Sequence, residues 1–297
     1  MNETPPRIFD RTAYRARRAR AARAGGDVFL AQEAAGQIAL RLGAINRSFE
    51  NGLDVNSRAK VFSTLQPFAK SWLRTSSAAD APSLDADEEA LPFGPECFDL
   101  VTSVLSLHAV NDLPGALVQI RRALKPDGLF VAAMFGGETL KELRHAFAAA
   151  EAETRGGASP RVAPFADVRD LGGLLQRAGF TLPVADVERT TVHYRDLPRL
   201  FADLRALGET NVLAGRARSM LPRGTIRALV SEYAAHHSDA EGRFVASFDI
   251  VYLTGWAAHE SQQKPLAPGS AKTRLAHALG TVERPAGEKP SPGPKQT

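Results

Sequence analysis

Apolar and polar positions along this chain alternate with two periods, and the order in which the periods change predicts the fold. In Phe98-Asp99-Leu100-Val101-Thr102-Ser103-Val104-Leu105-Ser106-Leu107-His108, an apolar strand opens with an acid and ends in small polar residues. A helix-length segment follows from Asn111 to Leu124, then a Pro126-Asp127-Gly128 turn and a second strand over 129–134. Two strands joined through a helix run parallel, and the first ends in a crevice of the kind where α/β sheets bind ligands.

The flanking pattern extends this unit. Phe29, Ala34, Ile38 and Leu42 recur at helical spacing within residues 8–42, and Gly25-Gly26-Asp27 interrupts that run with Asp27 placed to cap the next helix. Residues 49–135 carry the first strands of a sheet. Between Thr75 and Asp87 the composition turns loop-like, compressing a helix and a strand. Residues 139–152 and 167–178 read as helices, the second ended by Gly179; residues 180–182 and 184–194 form a further strand. Helices are predicted over 197–207 and 225–236. The alternating, β-branched and aromatic run 244–256 is the last strand, inserted antiparallel near one edge. Beyond Lys264 the chain is dominated by Pro, Gly, Lys, Ala and Ser, which predicts a disordered tail dispensable for folding. The expected organisation is a basic helical segment (1–48), one α/β domain (49–263) with a helical insertion at about 197–237, and the tail (264–297).

Composition narrows the setting. The 297 residues are 44% hydrophobic and 24% charged, ordinary for a globular protein, and no apolar run approaches the roughly 20 residues that span a bilayer. The single cysteine, Cys97, rules out an intrachain disulfide framework and points to a reducing compartment: the bacterial cytoplasm first, a mitochondrial matrix second. The net charge of +4 is concentrated at the N-terminus, where Arg7, Arg11, Arg15, Arg17, Arg18, Arg20 and Arg23 have only Asp10 among them. Such a run suits a solvated helix, an acidic partner surface, an anionic membrane or a transit peptide. With only Phe9 and Tyr14 interspersed, it lacks the aromatic platform that nucleic-acid stacking uses.

Several residues suggest chemistry or capping. His108, at the end of the Phe98 strand, has the near-neutral unperturbed pKa of a general base and is the one catalytic candidate. Asp112 is placed to cap the helix that Pro114 opens. Gly136-Gly137 allows a tight strand exit and close approach of a ligand. Thr139 and Glu142 have the spacing of a capping box. No metal-ligand constellation is visible.

The segments 8–11, 86–93 (Ala-Asp-Glu-Glu-Ala-Leu-Pro-Phe), 105–114, Met134-Phe135-Gly136-Gly137-Glu138-Thr139-Leu140, 156–160, 170–172, 177–180 and 255–261 resemble class I S-adenosylmethionine-dependent methyltransferases. More narrowly they resemble the family of the mitochondrial complex I assembly factor that acts as an arginine hydroxylase, and more distantly the malonyl-carrier-protein methyltransferase of biotin synthesis. The resemblance spans roughly residues 8–262. It implies an α/β, Rossmann-like class I methyltransferase fold with a seven-stranded, mostly parallel sheet and helices on both faces. It also implies S-adenosylmethionine as cofactor, with Asp54, Asn56, Ser57, Asp87, Glu88, Ser103 and Leu105 around it. In that family pattern Asp87 meets the adenine amine, and Ser103 to His108 line the crevice.

Two segments depart from the pattern. The family's glycine-rich cofactor turn is replaced by Leu53-Asp54-Val55-Asn56-Ser57-Arg58-Ala59-Lys60, with Asn56, Arg58 and Lys60 where glycines stand. Asn56 tolerates a left-handed backbone, whereas Arg58 forced into one loses about 1 kcal/mol. Arg74 stands where an acid holds the ribose hydroxyls; a cation accepts no hydrogen bond but suits a phosphate. Three functions therefore remain. They are a methyltransferase acting on a protein substrate in respiratory-complex assembly, a protein-arginine hydroxylase, and a non-catalytic assembly factor. The family label of S-adenosylmethionine-dependent methyltransferase is the first of these.

Overall fold

The computed structural model describes residues 7–76, 82–262 and 273–282. The helices are α1 (Arg11–Ala24), α2 (Phe29–Gly43), α3 (Ala59–Leu65), α4 (Leu113–Ala123), α5 (Lys141–Arg155), α6 (Val168–Arg177), α7 (Leu197–Leu207), α8 (Arg223–His236) and α9 (Leu275–Leu279). The strands are β1 (Phe49–Val55), β2 (Ala69–Thr75), β3 (Phe98–Val104), β4 (Leu124–Phe135), β5 (Phe180–Tyr194) and β6 (Phe244–Ala257). The chain divides into two units after His259, and the second contributes α9 to the described residues. Residues 264–272 and 283–297 of the tail expected to be disordered lie outside the described residues. Among the described residues no helix is long and apolar enough to cross a membrane.

The strands form one sheet in the order β2-β1-β3-β4-β6-β5. β1, β2, β3 and β4 are mutually parallel, and β6 runs antiparallel between β4 and β5, next to the edge as the pattern predicted. Period-two alternation in β4 divides the core. Leu129, Val131 and Ala133 face α2, α5, α7 and α8, whereas Phe130, Ala132 and Met134 face α4 and α6. Helices thus cover both faces, and α2 is part of the packing through Leu30, Ala34, Ile38 and Leu42.

The expected seventh strand is not formed among the described residues. Its trace is Leu84, which exchanges backbone hydrogen bonds with Arg74 and Ser76 alongside β2 in a single parallel bridge. Pro82, two residues before Leu84, donates no backbone hydrogen bond, so the ladder does not extend on that side.

Two local expectations also change. The N-cap of α2 is Val28, with no side-chain cap, so Asp27 does not serve it. The Thr139/Glu142 capping box does not form. Thr139 Oγ1 instead exchanges hydrogen bonds of 3.0 Å with the backbone of Asp249, and Glu142 accepts from Ser247 N at 3.1 Å and Ser247 Oγ at 2.6 Å. Tertiary partners on β6 replace the local ones. Asp112 caps α4 as expected, accepting from Gly115 N at 2.8 Å.

The two glycines after β4 have different reasons. A Cβ on Gly136 would lie 2.4 Å from Val251 Cγ2, whereas one on Gly137 would meet nothing within 4 Å. Strand contact, rather than ligand approach, explains Gly136. Gly136→Ala is expected to cost about 1–3 kcal/mol by overpacking, and Gly137→Ala within about 0.5 kcal/mol of nothing. Urea denaturation of the two variants checks this; equal costs would refute it.

Candidate functional site

Because β2 and β3 leave β1 in opposite directions, the sheet opens a crevice at the C-terminal ends of β1 and β3. The residues expected to hold a cofactor converge there, but most hold one another. Asp54 is fully buried and accepts from Arg74 Nε and Thr102 Oγ1, both at 3.3 Å. Burial pushes its carboxyl up to about 6, against the pull of Ser57 and Arg74. Asn56 adopts the left-handed backbone it was expected to tolerate (φ 56°), and its amide donates to Glu88. Ser57 Oγ accepts from Val104 N at 3.0 Å, and Ser103 Oγ donates to Val55 O at 2.9 Å. Leu105 is also left-handed.

Helix α1 supplies what sequence reasoning missed. Arg11, Tyr14, Arg18 and Ala21 lie at spacings of three, four and three, one stripe of a helix. Arg18, only 2% exposed, donates from Nη1 to Leu105 O at 2.9 Å and from Nη2 to Asn56 O at 2.7 Å. Arg11 binds Asp87 at 2.9 Å, Glu88, and Ala109 O at 2.8 Å. Asp87, expected at an adenine edge, and Glu88 therefore hold an arginine of the same chain. Part of the basic N-terminal stripe is internal, not solvated. Phe9 and Asp10 fix the start of α1, through Phe9 N to Asn111 Oδ1 at 2.8 Å and Ala13 N to Asp10 Oδ1 at 2.9 Å.

Two of the departing residues, Arg58 and Arg74, have structural duties. Arg58 is not left-handed (φ −65°), so the expected strain is absent. Its guanidinium reaches the carbonyls of Ala206 and Leu207 at the end of α7. Arg74 is not poised for a phosphate: it is buried between Asp54, Ser57 O at 2.9 Å and the Phe62 ring at 4.4 Å. The space left between Arg18, Arg58, Leu105 and Glu209 is about 10 Å³, room for about one water molecule. Among the described residues, the side chains expected around S-adenosylmethionine are engaged with one another and with α1.

A separate cavity of about 230 Å³ lies beside it, walled by Phe9, Phe135, Phe165, Phe201 and Phe248. Its polar lining is His108, on the turn after β3, and Glu209, Thr210 and Asn211, after α7, with Thr139, Arg161 and Arg205 also at the wall. His108 Nε2 lies 3.0 Å from Glu209 Oε2, and the imidazole packs on Phe135 at 4.9 Å. Burial raises the Glu209 pKa, but His108 with Arg18 and Arg58 outweighs burial and holds the carboxyl below its usual range. Two buried atoms, His108 Nδ1 and Glu209 Oε1, have no hydrogen-bond partner among the described residues. Nothing within the sequence marked Glu209, which is 101 residues from His108. Among the described residues, no three His, Cys, Asp or Glu side chains converge as metal ligands.

Comparison with known proteins agrees with the architecture. Residues 58–132 match the methyltransferase domain family. The chain is 41% identical to the mitochondrial arginine-hydroxylase NDUFAF5 of Mus musculus over 289 residues, covering 90% of this chain and 83% of that one. It is 36% identical to the malonyl-[acyl-carrier protein] O-methyltransferase of Gallionella capsiferriformans over 58% of this chain and 56% of that one. Among solved structures, the YcgJ protein of Bacillus subtilis aligns with a TM-score of 0.52 at 12% identity, over 76% of this chain and 99% of that one, a likeness of fold. With the sheet order, the helix-covered faces and this identity over most of both chains in agreement, the chain belongs to the methyltransferase-fold family that contains the arginine-hydroxylase NDUFAF5.

Proposed function

We propose that this chain takes an arginine side chain of a partner protein into the aromatic cavity, and that it uses the methyltransferase fold as a binding scaffold without S-adenosylmethionine. One observation carries the reading: the unsatisfied pair His108 Nδ1 and Glu209 Oε1 beside phenylalanine walls. In the tautomer that donates Nε2–H to Glu209, Nδ1 is an acceptor. The cavity then presents two buried acceptors, which suits a cation with several donors. A guanidinium has five N–H groups and a flat face that packs on aromatic rings. The names of the related arginine-hydroxylases support the same side chain, and the family resemblance supports a partner in respiratory-complex assembly. The proposed compartment is a bacterial cytoplasm, in keeping with the free, exposed Cys97.

A labelled peptide with a central arginine tests this against lysine and citrulline versions. The arginine peptide is expected to bind best, and Glu209→Gln to weaken it about tenfold; His108 and Arg18 already share the charge of Glu209, which keeps the loss modest. Calorimetric titration with S-adenosylmethionine is expected to give no heat at millimolar concentration. Equal binding of the citrulline peptide, or micromolar binding of S-adenosylmethionine, would falsify the reading. Hydroxylation of the bound arginine is the second reading, favoured by the relatives' names. A partner arginine gaining one oxygen atom, read by mass spectrometry, would establish it.

A further inference from the structure

Next to the aromatic cavity runs an open groove of about 870 Å³, formed by α1, α7 and the segment after α7. Six arginines line it (Arg17, Arg20, Arg161, Arg205, Arg216 and Arg218) and no carboxylate does. Three are tied down by the chain. Arg17 donates to Thr210 Oγ1 at 2.9 Å, Arg161 to Glu151 Oε1 at 3.0 Å, and Arg216 to Asp10 Oδ2 at 2.8 Å. The guanidiniums of the other three, Arg20, Arg205 and Arg218, make no hydrogen bond among the described residues, and all three residues are exposed. Gathering six like charges in one concavity is unfavourable without a counter-charge. The strain registers on Arg17, whose guanidinium is held below its usual range by burial, then by Arg216 and Arg20.

From this arrangement we infer that the groove binds an acidic segment of a partner polypeptide, continuous with the residue whose side chain enters the aromatic cavity. Arg161, Arg205, Thr210 and Asn211 line both spaces, so one chain can occupy the two together. The floor is small, with Ala21, Ala24, Ala202, Ala206 and Gly208, and so admits a polypeptide backbone closely. No aromatic residue lines the groove, so the stacking platform of a single-stranded nucleic acid is missing. A flat lipid surface does not reach arginines set in a concavity, whereas Glu and Asp side chains do, and a carboxylate matches the guanidinium fork in two parallel hydrogen bonds.

That the groove and the cavity serve the same partner rests on the arginine-binding reading; the groove's preference for carboxylates does not. Labelled hexaglutamate, which contains no arginine, is therefore the probe for the full chain, with hexaserine, a six-base oligothymidine and phosphatidylserine vesicles as the other arms. Hexaglutamate is expected to bind and to weaken steeply with added salt. The double variant Arg20→Glu/Arg218→Glu, with its melting temperature unchanged, is expected to lose at least tenfold in affinity. Glu209→Gln is expected to leave hexaglutamate binding as it was, so failure of the cavity reading and failure of the groove proposal are told apart. Hexaserine binding as well, tighter binding of oligothymidine or vesicles, or an unchanged affinity in the double variant would each overturn the proposal.

Discussion

Arg18→Ala is expected to be among the most damaging single substitutions on the crevice side of this protein. The change strips hydrogen bonds from Asn56 O and Leu105 O and removes the nearest cation, at 3.6 Å, from Glu209 Oε1. All of these groups stay in place when the guanidinium goes, because they follow β1, β3 and α7 and are not part of α1. Breaking one side of a buried ionic contact costs about 3–5 kcal/mol, since the remaining polar groups have lost water as well as their partner. For a domain of this size that corresponds to a melting temperature lower by about 6–20 °C. Arg18→Lys is expected to recover only part of the loss, because an ammonium cannot present the fork that reaches two carbonyls. Thermal unfolding of the two variants against the natural chain measures this. A fall under about 3 °C for Arg18→Ala would mean that water replaces the guanidinium and that the crevice is not closed as described. The same substitution does not create a cofactor site, since Arg58 and Arg74 keep their positions on carbonyl and carboxylate partners.

The contrast between what the sequence revealed and what it hid has a physical basis. Strands and helices were legible wherever one face is buried by a neighbour of the same period. The 98–104 and 129–134 patterns are the cases in point, and the antiparallel β6 could be placed by its length and alternation. Asn56 was legible because left-handed backbone is a local property. Thr139 and Glu142 obey a local capping rule just as well, yet β6 offers them buried partners that a helix end in water does not. Arg18 was hidden for the opposite reason. A guanidinium that binds two carbonyls across the sheet and one that points into solvent have the same sequence, and only the stripe Arg11, Tyr14, Arg18, Ala21 distinguishes them. Glu209 was beyond reach altogether: its significance comes from His108 on another element.

Asp54 gives the second large effect, and it appears as a pH dependence. This carboxyl is fully buried, and desolvation outweighs the pull of Ser57, Arg74 and Thr102, the last two at 3.3 Å, so the folded-state value rises to about 6 from 3.8. The raised value sets the sign. Below about pH 4 the carboxyl is protonated in both states and its contribution to stability is complete. As pH rises from about 4 through 6, the unfolded chain releases the proton first, and the contribution is lost. The difference amounts to about 3 kcal/mol. Groups such as Asp239, held down to about 2 by the hydrogen bonds of Arg243 and His193 in spite of its burial penalty, act in the opposite sense and are lost as pH falls. The whole-protein profile therefore mixes the two, and the difference between the natural chain and Asp54→Asn isolates the buried acid. Denaturant titrations at pH 4, 5, 6 and 7 are expected to show the asparagine variant gaining on the natural chain across that interval by about 3 kcal/mol. A constant offset between the two at every pH would show that Arg74 keeps Asp54 ionised throughout. The acid at the end of β1 would then be a paired charge, rather than a buried carboxyl that joins β1 to its neighbours.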